Sequence, residues 1–143
     1  MVKTASSPSI EQVLPEVTLR LRRDILYPGQ ELRTVLLPED QDGLHYGLFY
    51  DNELAGVVSL FDSGNGRWQF RKLAILEKYQ RKRFGSLLLA HLLDETERLG
   101  GNALWCNARL SATGFYKKFG FAEKGDTFSK GGIDYVIMEK ALI

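Results

Sequence analysis

The densest chemistry in the sequence is Lys78-Tyr79-Gln80-Arg81-Lys82-Arg83-Phe84-Gly85-Ser86, where four cations stand before the strongest helical pattern of the chain. A helix N-terminus carries partial positive charge, so each cation there costs a few tenths to about 1 kcal/mol. No Ser, Thr, Asp or Asn stands where a side-chain cap is expected. A bound anion would satisfy the free N–H groups and balance the cations, and Gly85 would let the backbone come close to it. Phosphate or pyrophosphate fits that description. A solvated basic turn is the competing reading.

A second informative stretch is Ala112-Thr113-Gly114-Phe115-Tyr116-Lys117-Lys118-Phe119-Gly120-Phe121. Ala112, Phe115 and Phe119 form the buried stripe of a short helix, which turns Tyr116 onto an adjoining edge. By itself such a tyrosine reads as amphipathic packing with a wet hydroxyl. The lone Cys106, between Trp105 and Asn107, reads as a small buried hydrophobe and has no internal disulfide partner.

The elements that must position these residues follow from periodicity. Val17, Leu21 and Ile25, with Arg20, Arg22 and Arg23 between them, predict a helix over Val17–Leu26 that Pro28 and Gly29 stop. Leu44–Tyr50 and Leu54–Phe61 read as strands joined by a turn at Asp51-Asn52-Glu53. In a third strand, Arg67–Leu76, the apolar phase moves from Trp68 and Phe70 to Leu73 and Ile75. A slip of one residue is what a β-bulge produces, although burial on both faces gives the same pattern. Phe84, Leu88, Leu92, Thr96 and Leu99 then mark one stripe of a helix ended by Gly100 and Gly101. Beyond it come strand Ala103–Asn107, a helix capped by Ser111 and stopped by Gly120, strand Phe121–Lys124, a mobile loop Gly125–Gly132, and strand Ile133–Leu142. A single α/β domain over 1–143 with a flexible tail at 1–9 is expected.

Composition narrows the class. The chain has 143 residues with 44% hydrophobic and 26% charged content, which suits an ordinary globular domain and excludes a disulfide scaffold or a disordered chain. No apolar run comes near the ~20 residues a membrane helix needs, and the N-terminus has no apolar signal core, so a cytoplasmic protein without a membrane partner is expected. A formal net charge of +1 leaves no broad field for nucleic acid.

The spacing of Gln80, Arg83, Gly85 and Ser86, after a bulged strand and before an amphipathic helix, resembles the coenzyme A signature Q/R-x-x-G-x-G/A of the GNAT acetyltransferases. Arg83 stands where the first glycine would be. The segment Ala112 to Phe121 resembles the family's A-x-x-F/L-Y-x-x-x-G-F, and together the matching features cover roughly Leu44–Leu142. The resemblance implies the GNAT fold: a mixed, mostly antiparallel central sheet with one splayed strand pair, flanked by helices. It also implies acetyl-CoA as cofactor, with Leu73, Ala74 and Ile75 pairing their backbone with its pantetheine arm and one N–H polarising the thioester carbonyl. The amides of Arg81, Lys82, Arg83, Phe84, Gly85 and Ser86, with Gln80, would take the pyrophosphate. Many members have an asparagine seven residues before the tyrosine; here that position is Arg109, with Asn107 two residues earlier, and both are carried as candidates. Where some members place a basic glutamate, this chain has Gln69.

The resemblance implies transfer of an acetyl group to an amine by direct attack, with Tyr116 protonating the departing thiolate. A free alkyl ammonium, with a pKa near ~10.4, must first lose its proton, and His45, Asp134 and Glu53 are the candidate bases. The entrance for the acceptor is expected around Arg20, Arg22 and Arg23, His45 and the Gly125–Gly132 loop. No metal site is expected, and a homodimer is left open. An acyl-CoA-binding module without turnover is the first alternative, and a nucleic-acid-binding protein using the basic run is a distant second.

Overall fold

The computed structural model describes residues 7–142. Seven strands, β1 (Ser9–Val13), β2 (Leu44–Tyr50), β3 (Glu53–Gly64), β4 (Arg67–Ile75), β5 (Ala103–Arg109), β6 (Ala122–Lys130) and β7 (Ile133–Ala141), hydrogen-bond in the order β1-β2-β3-β4-β5-β7-β6. The helices are α1 (Leu19–Leu21), α2 (Phe84–Arg98) and α3 (Thr113–Lys118). The β1–β2, β2–β3, β5–β7 and β6–β7 ladders are antiparallel and β4–β5 is parallel, so the expected mixed, mostly antiparallel sheet is present. The chain packs as two compact units, residues 7–61 with Lys72–Leu92 and Asp62–Arg71 with residues 93–142.

In the first unit Asp51 and Asn52 both adopt positive φ, 54° and 61°, which makes the two-residue turn that matches strand twist and pairs Tyr50 with Glu53. The expected helix over Val17–Leu26 is irregular: a 3-10 turn (Pro15–Thr18) runs into α1 and then into a π turn (Arg22–Leu26). Leu21, Val57 and Ala74 form a buried cluster, and Ile25, Leu26, Leu54 and Leu76 pack on it. Of the α2 stripe in this unit, Phe84, Leu88 and Leu92 are buried as the spacing requires.

Arg22, expected at the acceptor entrance, is enclosed instead. It is fully buried, its guanidinium donates to both Asp40 carboxylate oxygens at 2.7 and 2.9 Å, to the Val35 carbonyl at 3.0 Å and to Ser59 Oγ at 2.9 Å. Burial raises the Asp40 pKa, but hydrogen bonds from Arg22 and the Leu37 amide, with the charge of Arg22, outweigh burial and hold it below the usual carboxylate value. The strand β1 was not foreseen; Ser9, expected to end a polar tail, opens it, and residues 1–6 of that tail lie outside the described residues.

In the second unit the parallel β4–β5 ladder joins only Arg67–Gln69 to Ala103–Trp105, whereas the opposite edge of β5 pairs with β7 along its whole length. From Cys106 onward β5 therefore has no β4 partner. Two expectations fail here. The loop placed at Gly125–Gly132 is mostly strand β6, and its glycine signal is spent on a register irregularity between Lys124 and Phe128, with Gly125 at φ +76°. Ser111 caps nothing: the residue before α3 is Ala112, without a side-chain cap, and Thr113 Oγ1 donates back to the Leu110 carbonyl at 3.1 Å.

Candidate functional site

The strand carrying the phase slip has Lys72 at φ +60°, between Phe70 and Leu73 where the bulge was expected. A non-glycine residue in that region costs of order 1 kcal/mol or more and persists where its surroundings enforce it. The strand ends at Ile75, and a 3-10 turn (Glu77–Tyr79) leads toward α2. Leu87 N–H donates to the Arg83 carbonyl at 3.0 Å, which makes Arg83 the residue capping α2. The N–H groups of Phe84, Gly85 and Ser86 then have no acceptor within the helix. The first turn contains no acidic side chain.

The departure at the first glycine position is resolved by the backbone. Arg81 and Arg83 adopt φ +65° and +67°, so both take the left-handed conformation a glycine would supply. Gln80, Arg81, Lys82 and Arg83 are exposed, with Phe84 buried behind them. Alternating left-handed residues of this kind form concave runs of N–H groups suited to anions.

Gln80 does a job the spacing does not reveal: its side-chain amide donates to the Ile75 carbonyl at 3.0 Å and ties the basic loop to the end of β4. That carbonyl was expected to face pantetheine, so at Ile75 the loop already occupies one of its two lone pairs. Two residues absent from the candidate set, Tyr79 and Tyr50, brace the same loop. Their rings lie 5.5 Å apart and 5.6 and 5.2 Å from Phe84. Tyr79 donates to Glu53 Oε1 at 2.9 Å and Lys78 pairs with the same oxygen at 2.7 Å. The Lys78 hydrogen bond first, then that of Tyr79, holds the Glu53 pKa below its ordinary value. The aromatic spacing at 50, 79 and 84 was the available signal.

In the second unit Tyr116 lies on α3 with its ring 5.7 Å from Phe70, 5.2 Å from Phe115 and 6.0 Å from Phe121. Burial pushes its pKa well above 10.0, the charge of Cys106 adds to this, and Arg109 opposes it. Among the described residues no protein group hydrogen-bonds its hydroxyl. Cys106 is buried, which raises its thiol pKa to about 12 and leaves it an inert hydrophobe at neutral pH. Asn107 is exposed on β5 opposite Ile137, and Arg109 ends that strand opposite Tyr135.

The three candidate bases fare differently. His45 is buried, with Nδ1 2.7 Å from Ser59 Oγ and Nε2 2.8 Å from the Asp40 carbonyl. A carbonyl only accepts, so Nε2 carries the proton, Nδ1 accepts from Ser59, and the ring is a structural tie. Glu53 is held by Lys78 and Tyr79, and Asp134 is exposed and accepts from Ser129. His45 is committed at both ring nitrogens, whereas the Glu53 and Asp134 carboxylates keep lone pairs beyond these hydrogen bonds.

Within this seven-stranded mixed sheet, the connection from β4 to its parallel neighbour β5 runs through α2, which is uncapped and entered by a basic left-handed turn. The profile of the acetyltransferase (GNAT) domain matches residues 10–142, and the chain belongs to the GNAT acetyltransferase family. It is 31% identical over 142 residues to the uncharacterized N-acetyltransferase YitI of Bacillus subtilis, covering 93% of this chain and 95% of that one. Its fold is similar to those of an IAA acetyltransferase from Bacillus cereus (TM-score 0.78, 20% identity, 95% and 100% of the two chains) and a GNAT acetyltransferase from Elizabethkingia anophelis with acetyl-CoA bound (TM-score 0.72, 18%, 94% and 98%). No helix among the described residues is long and apolar enough to cross a membrane.

Proposed function

We propose that the protein transfers the acetyl group of acetyl-CoA to an amine by direct attack, with both substrates bound at once. The observation that carries this reading is the entrance to α2: three amides without helical acceptors behind two left-handed arginines, a turn suited to a pyrophosphate. In this reading Phe84, Gly85 and Ser86 donate their amides to the phosphates, and Arg81, Lys82 and Arg83 supply the balancing charge. Gln80 holds the loop against Ile75. Backbone groups of Leu73, Ala74 and Ile75, beyond the last β5-paired residue of β4, take the pantetheine amides as an added strand would. Bound acetyl-CoA supplies a thioester whose acyl carbon an amine attacks and whose thiolate leaves.

Burial disfavours the Tyr116 phenolate, so Oη keeps its proton at neutral pH. That proton is available for the leaving sulfur. With His45 held at both ring nitrogens, the acceptor amine in this reading loses its proton to water or, through water, to the Glu53 or Asp134 carboxylate. Asn107 and Arg109 are proposed to border the cofactor; Arg109 influences Tyr116 by its charge.

The test has two arms. Acetyl-CoA at one hundred times its dissociation constant should stabilise the protein by about 2.7 kcal/mol, which raises the melting temperature by several degrees. A screen of amines, amino acids and peptides should show acetyl-CoA consumption with at least one acceptor. No thermal shift with saturating acetyl-CoA or CoA would sink the proposal; binding without turnover would leave the acyl-CoA-binding alternative.

A further inference from the structure

We propose that Lys72 and Tyr27 form a subsite for a carboxylate on the amine acceptor, so that the preferred acceptors are small amino acids rather than uncharged amines. The inference rests on the acetyl transfer proposed above and narrows its substrate class.

Lys72 is half-buried, yet among the described residues no carboxylate pairs with it. Its ammonium donates to Tyr27 Oη and lies 4.6 Å from the centre of that ring. The neighbouring cations of the helical segment that Tyr27 ends are neutralised, Arg22 by Asp40 and Arg23 by Asp24. A partly desolvated ammonium facing only a neutral hydroxyl retains an unmet preference for an anion.

The donor arrangement specifies the anion's form. An ammonium has three donors, of which Tyr27 takes one. Because Tyr27 Oη accepts from Lys72, its own proton is directed away, and the pair presents an N–H and an O–H side by side. Two adjacent donors with one positive charge match the two oxygens and single charge of a carboxylate. A phosphate carries about two charges and would be only half compensated.

Position in the chain supplies the link to the reaction. Lys72 immediately precedes Leu73, Ala74 and Ile75, the backbone proposed to hold the thioester arm, and consecutive Cα atoms are about 3.8 Å apart. A carboxylate held by Lys72 would thus sit at the strand segment proposed to hold the thioester arm, and a free α-amino acid presents its amine and carboxylate on one carbon, whereas a peptide N-terminus has its carboxylate far away.

The experiment measures acetyl transfer by the full chain to matched pairs, each an α-amino acid and its carboxamide, for example glycine with glycinamide and glutamine with glutamine α-amide. Carboxamides have the less basic amine and enter with more neutral nucleophile, so a preference for the acid runs against intrinsic reactivity. The wild type should favour the acid in at least one pair by about ten- to a hundredfold in kcat/KM. Lys72→Met keeps the apolar stem and should collapse that ratio toward one through KM for the acid. Tyr27→Phe should reduce the ratio part way. Melting with and without acetyl-CoA checks that each variant folds and binds cofactor; if Lys72→Met does not fold, Lys72→Gln and Tyr27→Phe provide the same ratio. A wild type with equal or greater rates on carboxamides, or a ratio that survives both substitutions, overturns the subsite and leaves the acetyltransferase reading standing. Failure to bind acetyl-CoA overturns both.

Discussion

Replacing Tyr116 by Phe removes one oxygen from a ring packed against Phe70, Phe115 and Phe121. The aromatic contacts survive, and because no protein group hydrogen-bonds the hydroxyl, no partner is stranded; the expected change in stability is within about 0.5 kcal/mol. The kinetic effect should be much larger. In water a tyrosine at ~10 protonates a thiolate at ~8.5 uphill by about 1.5 pK units, or roughly 2 kcal/mol. Burial raises the proton affinity of both groups, as the shift of the nearby Cys106 thiol to about 12 illustrates, so the mismatch does not grow with the shift of Tyr116 alone. A positioned acid contributes about 10²–10⁴-fold, equivalent to roughly 3–5 kcal/mol of barrier.

The assay is single-turnover acetyl transfer at saturating acceptor, since slow product release can hide a chemical defect in steady-state rates. Acetyl-CoA affinity should be nearly unchanged. Because the Tyr116 pKa is raised above 10.0, its proton is retained on the alkaline side, and the wild-type rate should show no falling limb from loss of this acid below that pH. Retention of more than about a third of the wild-type single-turnover rate by Tyr116→Phe would assign the proton to water or to another residue, and the role given to Tyr116 would be withdrawn.

Four further outcomes are expected. Replacing Arg81 and Lys82 together by Ala should weaken acetyl-CoA binding about ten- to a hundredfold and flatten its salt dependence, as calorimetry at two ionic strengths would show. Arg83→Gly relieves a left-handed arginine but adds freedom to the unfolded chain, two effects of about 1 kcal/mol each, so the melting temperature should hardly move while affinity falls by less than about tenfold if backbone amides dominate. Arg22→Met strands the buried Asp40 carboxylate and should cost about 3–5 kcal/mol in denaturant unfolding. The Asp40 pKa is depressed in the fold, so its contribution is present above 3.8 and lost as pH falls below that value, and Asp40→Asn should flatten the acid limb of stability.

What the sequence disclosed and what it hid divide by the range of the interactions. The irregularity in β4 was legible because the apolar phase moves between Phe70 and Leu73, and Lys72 is left-handed at that place. The uncapped entrance to α2 was legible because caps lie within three residues of the helix they serve. Strand β6 was missed beyond Lys124 because all nine of its residues are exposed at the edge of the sheet, so no buried face imposes a period on Ala122–Lys130. The turn glycine at 125 then outweighed a strand signal that was barely present.

Arg22 shows the long-range limit most clearly. Its neighbours Leu21 and Ile25 announce a buried stripe, and the run of arginines announces the opposite face. The chain winds as a π turn from Arg22 to Leu26, which departs from the angular step on which a helical-face assignment depends. Its partner Asp40 is 18 residues away in a segment without periodicity, and Ser59 is 37 away on β3. Only after that pair is removed from the arginines available to an acceptor does the unneutralised Lys72 stand out. Of the three arginines expected at the acceptor entrance, Arg22 and Arg23 are paired with Asp40 and Asp24, and in the proposed subsite the charge that selects an anionic acceptor is that of Lys72 on β4.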